Sequence, residues 1–498
     1  MLFYNNYMGG GALMQLVANG SQDIYLTGNP EMTYFRAVYR RHTNFAKESI
    51  LQNTVGTLQQ GSKFSVTIGR HGDLLNDIYV VIKRKTFEVP STDMLKIDFE
   101  DCSGNFYYPS AGYNFLEYVE VEIGGQVIDK HYGDWLNIWT DLTEPNDKKM
   151  LLNQMLYGKT RLFSRKADIF KDGDIYLPLK FWFCNNPGLA LPLIALQYHE
   201  VKLNFSLTPS CFSANSTVYF NGPSGAHRGG TASASSTVET TVDVSGHSHP
   251  MEVKYPLTIP LSTNIIDELS VYADYIFLDT AERRKFAKVK HEYLFEQIQT
   301  QGPTSILPTA DKETVDLRFN HPIKEVVWTL DDAAPSICAP ACNTKKYEII
   351  KAGLLQLNGK DRFQKRNGSY FTLAQRYQHH SGSPLKYLFE ALYSGDLRGF
   401  KKNWGEFTGS RIPSEAIHLY SFALHPEKNI PSGSCNFSRL DNVVLELDFF
   451  TGQGSNPCLG SSRPCYYDAP NKRTLWVYGI NYNILRIMGG MGGLVYCN

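Results

Sequence analysis

Ile175 to Phe205 reads IYLPLKFWFCNNPGLALPLIALQYHEVKLNF, and Ile417 to Leu447 reads IHLYSFALHPEKNIPSGSCNFSRLDNVVLEL. The two stretches align without a gap. In each, a strand-like run leads to a bend containing Pro and Gly and then to a second strand. The second strands, Val201-Leu203-Phe205 and Val443-Leu445-Leu447, alternate apolar and polar residues, the period of a strand with one buried face. A second pair lies upstream: Val119-Val121-Ile123 before Gly124-Gly125, and Leu355-Leu357 before Asn358-Gly359, each a strand running into a tight-turn signal. A third pair matches FSVTIGRHGDLLNDIYVVI from Phe64 with VDLRFNHPIKEVVWTL from Val315, strand, short polar break, strand. Identity within each pair is low, but the pattern and its order recur three times. The chain therefore reads as two copies of one all-β domain.

Composition agrees with that reading. A chain of 498 residues exceeds a single hydrophobic core, and at roughly 100–200 residues per domain it predicts two to four domains. The 30 Tyr and 28 Phe alongside 40 Gly favour strands over helices. Lys plus Arg and Asp plus Glu both number 49, with no basic tail at either end, which argues against direct nucleic-acid binding by counterion release. The longest apolar run, around Pro187 to Tyr198, is interrupted by Pro192 and falls short of the ~18 residues of a spanning helix. The start, MLFYNNYMGGGALMQLV, lacks the basic opening and cleavage pattern of a secretory signal, so cytosolic synthesis is expected. Nine cysteines cannot all pair within one chain, and their scatter suits reduced thiols. The close pairs Cys338/Cys342 and Cys458/Cys465 have no neighbouring His and read as loop cysteines.

Residues 1–26 read as an arm outside the repeat. Thr27-Gly28-Asn29-Pro30-Glu31 is a helix-start signal, with Asn29 as cap and Pro30 at the first helical position. Met32, Phe35, Val38 and Tyr39 then recur at helical spacing and predict an inward-packing face, with Arg36, Arg40 and Arg41 elsewhere on the same helix. The first copy spans 27–280 and carries a Ser/Gly-rich insertion near 208–250. The charged run DTAERRKFAKVKHEY predicts a short linker helix, within 281–292, capped by Asp279 or Thr280. The second copy, 293–498, has its own insertion near 381–413, where KYLFEALYSG predicts a short helix.

Catalytic signatures are missing. The sequence has no Gly-x4-Gly-Lys-Ser/Thr, no Gly-x-Ser-x-Gly and no His-Glu-x-x-His. His247, His249 and Glu252 have the flavour of a metal set but lie in the Ser/Gly insertion. His199-Glu200 opens a strand, which gives it a structural role, and His379-His380 carries little signal. Asp129-Lys130-His131-Tyr132 with Asp134 forms a dense polar cluster after the Gly-Gly turn and reads as a hydrogen-bonded turn or subunit contact. No catalytic residue, cofactor or metal site is expected.

Several stretches carry a family resemblance. The run GGGALMQLVANGSQDIYLTGNPEMTYFRAVYRRHTNFAKESI from Gly9 resembles the start of major capsid proteins of large icosahedral nucleocytoplasmic DNA viruses, in the chlorovirus and mimivirus-like branch. GGQVIDKHYGDW from Gly124, PGLALPLIALQYHEVKL from Pro187, DYIFLDTAERRKFA from Asp274, LNGKDRF from Leu357, PSGSCNFSRLDN from Pro431 and NYNILRIMGGMGGL from Asn481 are similar to signatures of the same family. The resemblance implies a double jelly roll, two tandem eight-stranded antiparallel β-sandwiches. It also implies a non-enzymatic shell protein forming homotrimeric, six-lobed capsomers that pack against neighbouring capsomers in the virion.

In that family the N-terminal arm faces minor capsid proteins and the internal membrane, while long loops project outward and can carry glycans. By that analogy Gly9 to Asp23 is an inner contact surface and Thr208 to Pro250 part of the outer crown. Expected assembly contacts are Gln15, Tyr25 and Arg41 in the basal region and Asp129, His131 and Trp135 at the turn of the first domain. The rival readings are a carbohydrate-binding tandem jelly roll, supported by the aromatic loops, a minor capsid paralogue, and a cupin-like enzyme for which the sequence offers almost no site.

Overall fold

Gly124 and Gly125 adopt φ values of 59° and 87°, and Asn358 and Gly359 adopt 48° and 72°. Two consecutive positive φ angles are what a two-residue hairpin turn needs to match the right-handed twist of its strands. The expected pair of turns is therefore present, once in each half of the chain. The computed structural model describes residues 10–84, 112–157, 174–208, 217–221, 227–231, 238–242, 251–255, 266–307, 310–332, 350–382, 417–449 and 473–496. It divides into two units, Met1–Asn44 and Phe45–Asn498.

The first unit holds α1 (Gly10–Val17) and α2 (Ile24–Thr27). The helix expected over Met32–Tyr39 is absent: residues 30–44 form no helix, and Met32, Phe35, Val38 and Tyr39 are exposed. The reason lies in Gly28-Asn29-Pro30. The Gly28 N–H closes onto Ile24 O at 2.9 Å and Asn29 takes φ 50°, a left-handed residue just past a helix end. These residues stop α2 instead of starting a new helix, and Pro30 follows where the chain cannot continue one.

The second unit begins with β1 (Phe45–Gln52), β2 (Thr54–Gly56), β3 (Lys63–Thr67) and β4 (Leu74–Arg84). It continues through β5 (Leu116–Ile123), β6 (Gln126–Tyr132), β7 (Ile175–Pro178), β8 (Leu191–Pro192) and β9 (Val201–Leu207). Two short hairpins follow, β10 (Thr217–Asn221) with β11 (His227–Thr231) and β12 (Val238–Val242) with β13 (Met251–Tyr255), before β14 (Ile266–Leu278). One sheet runs β1-β14-β4-β7 with β8 beside β4, and the facing sheet runs β2-β3-β9-β5-β6.

The later strands are β15 (His291–Ile306), β16 (Lys312–Asp316), β17 (Pro322–Asp332), β18 (Ile350–Leu357), β19 (Lys360–Asp361) and β20 (Arg366–Asn367). They end with β21 (Ile417–Ser421), β22 (Cys435–Asn436), β23 (Val443–Phe449), β24 (Arg473–Met488) and β25 (Met491–Leu494). Their sheets run β15-β24-β17-β21 and β16-β23-β18-β19, with the short strands β20, β22 and β25 alongside. In both halves the first strand lies beside the last long strand, β1 beside β14 and β15 beside β24, and all pairings are antiparallel. The molecule is a double jelly roll, and its duplication extends to strand order.

Alternation fills each core. Phe64, Val66, Val121, Leu203 and Phe205 face Ile78, Val80 and Val271 in the first sandwich, where Phe64 and Phe205 stack at 4.7 Å. Val326, Trp328, Leu445, Leu447 and Leu475 do the same in the second. One detail of the sequence alignment slips. Ile175 and Leu177 point into the first core, but the residues aligned with them, Ile417 and Leu419, belong to a separate apolar cluster on the opposite face of their sheet. The core-facing residue there is Tyr420, paired with Val326. The repeat is thus offset by one residue at this strand, which inverts its faces.

Candidate functional site

The apolar cluster on the outer face of the second sandwich marks the junction between the two halves. Strand β6 ends at Tyr132 and the chain turns at once into α3 (Gly133–Thr143), followed by α4 (Asn146–Tyr157). Trp135, Ile138, Trp139 and Leu142 recur at helical spacing along α3 and form one stripe. That stripe packs on Val327 of β17, Ile417 and Leu419 of β21, and Tyr478 and Ile480 of β24. Trp135 is 1% exposed, stacks on Trp139 at 5.6 Å and meets Tyr478 at 5.0 Å. A sheet buried on both faces explains why β21 is apolar on its outer side as well.

Polar groups line the same seam and are paired across it. Asp129 Oδ2 lies 2.8 Å from His131 Nε2, both side chains almost fully buried, and Asp129 Oδ1 accepts the Ile298 backbone N–H at 3.1 Å. The His131 ring stacks on Phe181 at 4.5 Å, and Gln297 donates to the Ile128 carbonyl at 2.7 Å. Trp182, from α5 (Trp182–Asn185) of the first sandwich, meets Phe295 of the second at 4.6 Å.

Charge is concentrated where α3 ends. Lys324 is completely buried at an irregularity in the β17–β24 pairing, with Nζ 2.5 Å from Glu296 Oε1 and 2.5 Å from the Pro426 carbonyl. Its ammonium also faces the Trp139 ring at 5.5 Å. Burial holds the Glu296 carboxyl above the ordinary range, with Lys324 opposing the shift. His380 follows α7 (Gln375–His379) and bridges Glu325 at 3.0 Å and Glu427 at 3.2 Å. Burial lowers the His380 pKa, but the charges and hydrogen bonds of the two glutamates outweigh it and raise the pKa to about 9. Arg376 reaches Asp141 Oδ2 at 3.0 Å, and Asp141 also pairs with the buried Lys149. Ser381 and Gly382 then donate to the carbonyls of Thr143 and Leu142 at 2.9 and 2.8 Å.

This geometry locates the expected assembly contacts. Asp129, His131 and Trp135 are brought together, but inside the chain, where burial against the second sandwich removes their side chains from any outer surface. The expectation of a direct subunit contact at these three residues gives way to a contact between the chain's own halves. Gln15, Tyr25 and Arg41 lie in the N-terminal unit with exposed side chains, Tyr25 at 93%. Sequence reading missed Lys324, Glu325 and Glu427 altogether and gave His380 little weight. The one local signal was the adjacent pair Lys324-Glu325 inside a largely apolar strand, β17.

Among the described residues, no three His, Cys, Asp or Glu side chains are placed to hold a metal ion. Cys338, Cys342, Cys458, Cys465, His247, His249 and the KYLFEALYSG segment lie outside the described residues. His199 is a structural contact, its Nδ1 3.0 Å from the Gly492 carbonyl.

Comparison with known proteins agrees with the fold. Residues 33–279 match the family model described as major capsid protein N-terminus, and residues 282–399 and 405–493 match that of the large eukaryotic DNA virus major capsid protein. The chain is 39% identical to the major capsid protein of Pyramimonas orientalis virus and 36% identical to that of Paramecium bursaria Chlorella virus 1, each across 98% of this chain and all of the relative. The solved structure of PBCV-1 VP54 superposes with a TM-score of 0.66 at 33% identity, covering 94% of this chain and all of that one. The Faustovirus major capsid protein, at 10% identity and a TM-score of 0.57, shares the fold. The chain belongs to the major capsid proteins of large eukaryotic DNA viruses, structural proteins of the virion shell.

Proposed function

We propose that the chain forms homotrimeric, six-lobed capsomers that tile the icosahedral shell of its virus. The observation that carries this reading is the duplicated strand order in two sandwiches joined by a buried seam. Three such chains present six similar lobes, and a closed ring satisfies head-to-tail contacts without runaway growth. In this reading the chain is organised as an arm (1–26), a first sandwich (27–280), a helical link (281–292) and a second sandwich (293–498). α6 (Thr280–Lys288) starts at the last residue of the first sandwich and runs through the first eight residues of the link.

Gln15, Tyr25 and Arg41 serve as basal contacts toward minor capsid proteins and an internal membrane. The exposed apolar side chains of Leu13, Met14, Leu16, Ile24 and Leu26 around them support this. Asp129, His131 and Trp135 act on assembly from within, by fixing the angle between the lobes. Outer loops, including the 208–250 insertion, are the sites for any glycans. Native mass of the purified chain tests the proposal. A species of about 169 kDa, three times 56.3 kDa, with a six-lobed outline in electron micrographs is expected; a folded protein that stays monomeric across the micromolar range overturns it.

A further inference from the structure

The contact between the halves is directional, and each chain leaves one half of it unused on each sandwich. In the first sandwich α3 starts at Gly133, where an added Cβ would collide with the Leu116 carbonyl at the start of β5. In the second sandwich Gly368 stands in the same relation to the Ile350 carbonyl at the start of β18. Setting Gly368 over Gly133 aligns Leu136 with Phe371, both fully buried in their own sandwich cores. The four α3 residues that cover the second sandwich, Trp135, Ile138, Trp139 and Leu142, then correspond to Tyr370, Leu373, Ala374 and Tyr377. Those four, with Arg366, line an open surface groove of about 530 Å³, and Leu373 and Tyr377 are 53% and 90% exposed.

The receiving wall is duplicated as well. Val327 pairs with Tyr478 between β17 and β24, and Tyr79 pairs with Tyr272 between β4 and β14. Val327 and Tyr478 lie under α3. On the first sandwich the matching outer face is an aromatic ladder: Tyr79 and Tyr272 stack at 5.3 Å, and Tyr176 stands 6.4 Å from Tyr79. This ladder is only partly buried, with Tyr176 38% and the neighbouring Leu51 54% exposed. Asp77 and Asp274 pair on the same strands, and the buried Asp274 Oδ1 has no hydrogen-bond partner among the described residues. Asp274 Oδ2 is held by Lys47 at 3.0 Å, so the wall's charge is largely compensated and the match rests on the aromatic ladder.

We infer that the Tyr370–Tyr377 face of one chain docks on the Tyr79–Tyr176–Tyr272 wall of a second copy, repeating between chains the contact that α3 makes within one. This rests on the assembly reading above and names its contact surfaces. The occupant is a second copy because three of the four groove positions carry large apolar or aromatic side chains where α3 does, Ala374 alone being small where α3 has Trp139, and the wall matches the surface that α3 covers. By the same correspondence, the Trp135–Tyr478 contact predicts that Tyr370 meets Tyr272 of the partner subunit.

The test uses the full chain. Leu373→Asp combined with Tyr377→Asp alters exposed side chains, so the chain should keep wild-type circular dichroism and cooperative unfolding while native mass falls to that of one chain, with any drop in the unfolding midpoint limited to the stabilisation lost with the oligomer. Tyr176→Asp, on the opposite surface, should do the same. In a separate variant, Tyr370→Cys with Tyr272→Cys should give a disulfide-linked series of chains on mild oxidation, with neither single substitution doing so. That variant decides the matter if the charged variants misfold. Wild-type oligomers that persist unchanged in the charged variants, or an absence of specific cross-linking, overturn the docking assignment and leave the assembly reading intact. A folded wild-type monomer overturns both.

Discussion

The rings of Trp135 and Tyr478 lie 5.0 Å apart, one carried by a helix of the first sandwich and the other by a strand of the second. Neither side chain is more than 1% exposed, so this contact forms part of a core that belongs to neither half alone.

Trp135→Ala should cost about 3–5 kcal/mol, the range for removing a large buried aromatic without collapse of the site. Chemical denaturation of the full chain checks this. Loss confined to the seam predicts that hydrogen exchange quickens in α3 and on β17, β21 and β24, while the β3–β9 pairing stays protected.

Stability should fall on the alkaline side. The His380 pKa is raised from 6.5 to about 9 in the folded chain, so its contribution is complete below pH 6.5 and is lost as pH rises through about 9. The change is on the order of 3 kcal/mol. Unfolding free energies measured between pH 6 and 10 should show this decline in the wild type and a flatter profile in His380→Gln. Identical profiles would remove His380 from the account.

Lys324→Ala should destabilise by about 3–5 kcal/mol, because it leaves the carboxylate of Glu296 in an apolar seam without its cation. Replacing both partners, Lys324→Met with Glu296→Leu, should recover much of the loss. A double variant as unstable as the single one would show that the Pro426 carbonyl contact, not the ion pair, carries the effect.

Gly133→Ala and Gly368→Ala should be similarly harmful, each by about 1–3 kcal/mol, because each places a Cβ against a strand carbonyl. Parallel denaturation curves provide the comparison. A harmless Gly368→Ala would argue against the correspondence between the two helix starts.

The sequence made the hairpins legible because Gly124-Gly125 and Asn358-Gly359 are among the few residue pairs that accept two positive φ angles in succession. It misled at Met32–Tyr39, where helical spacing was present but Gly28, Asn29 and Pro30 act as a stop. It also slipped by one residue at Ile417, because both faces of β21 are buried and alternation no longer distinguishes inside from outside. Most of the seam was out of reach. His380 finds Glu325 55 residues away, and Asp129 finds Ile298 169 residues away, separations that no local pattern encodes. Asp129, His131 and Trp135 were visible as a conspicuous cluster, but whether their partners lay in the same chain or another is decided only by tertiary packing.

Carrying α3 and the surface it covers on one polypeptide also changes how a ring of such chains could nucleate. Half of the seams form during folding, at the high effective concentration of a tether, before any two chains meet. Closing six lobes then requires three bodies to find one another instead of six, so ring yield would follow roughly the third power of chain concentration and not the sixth. A shell built this way can ripen from a dilute pool of subunits.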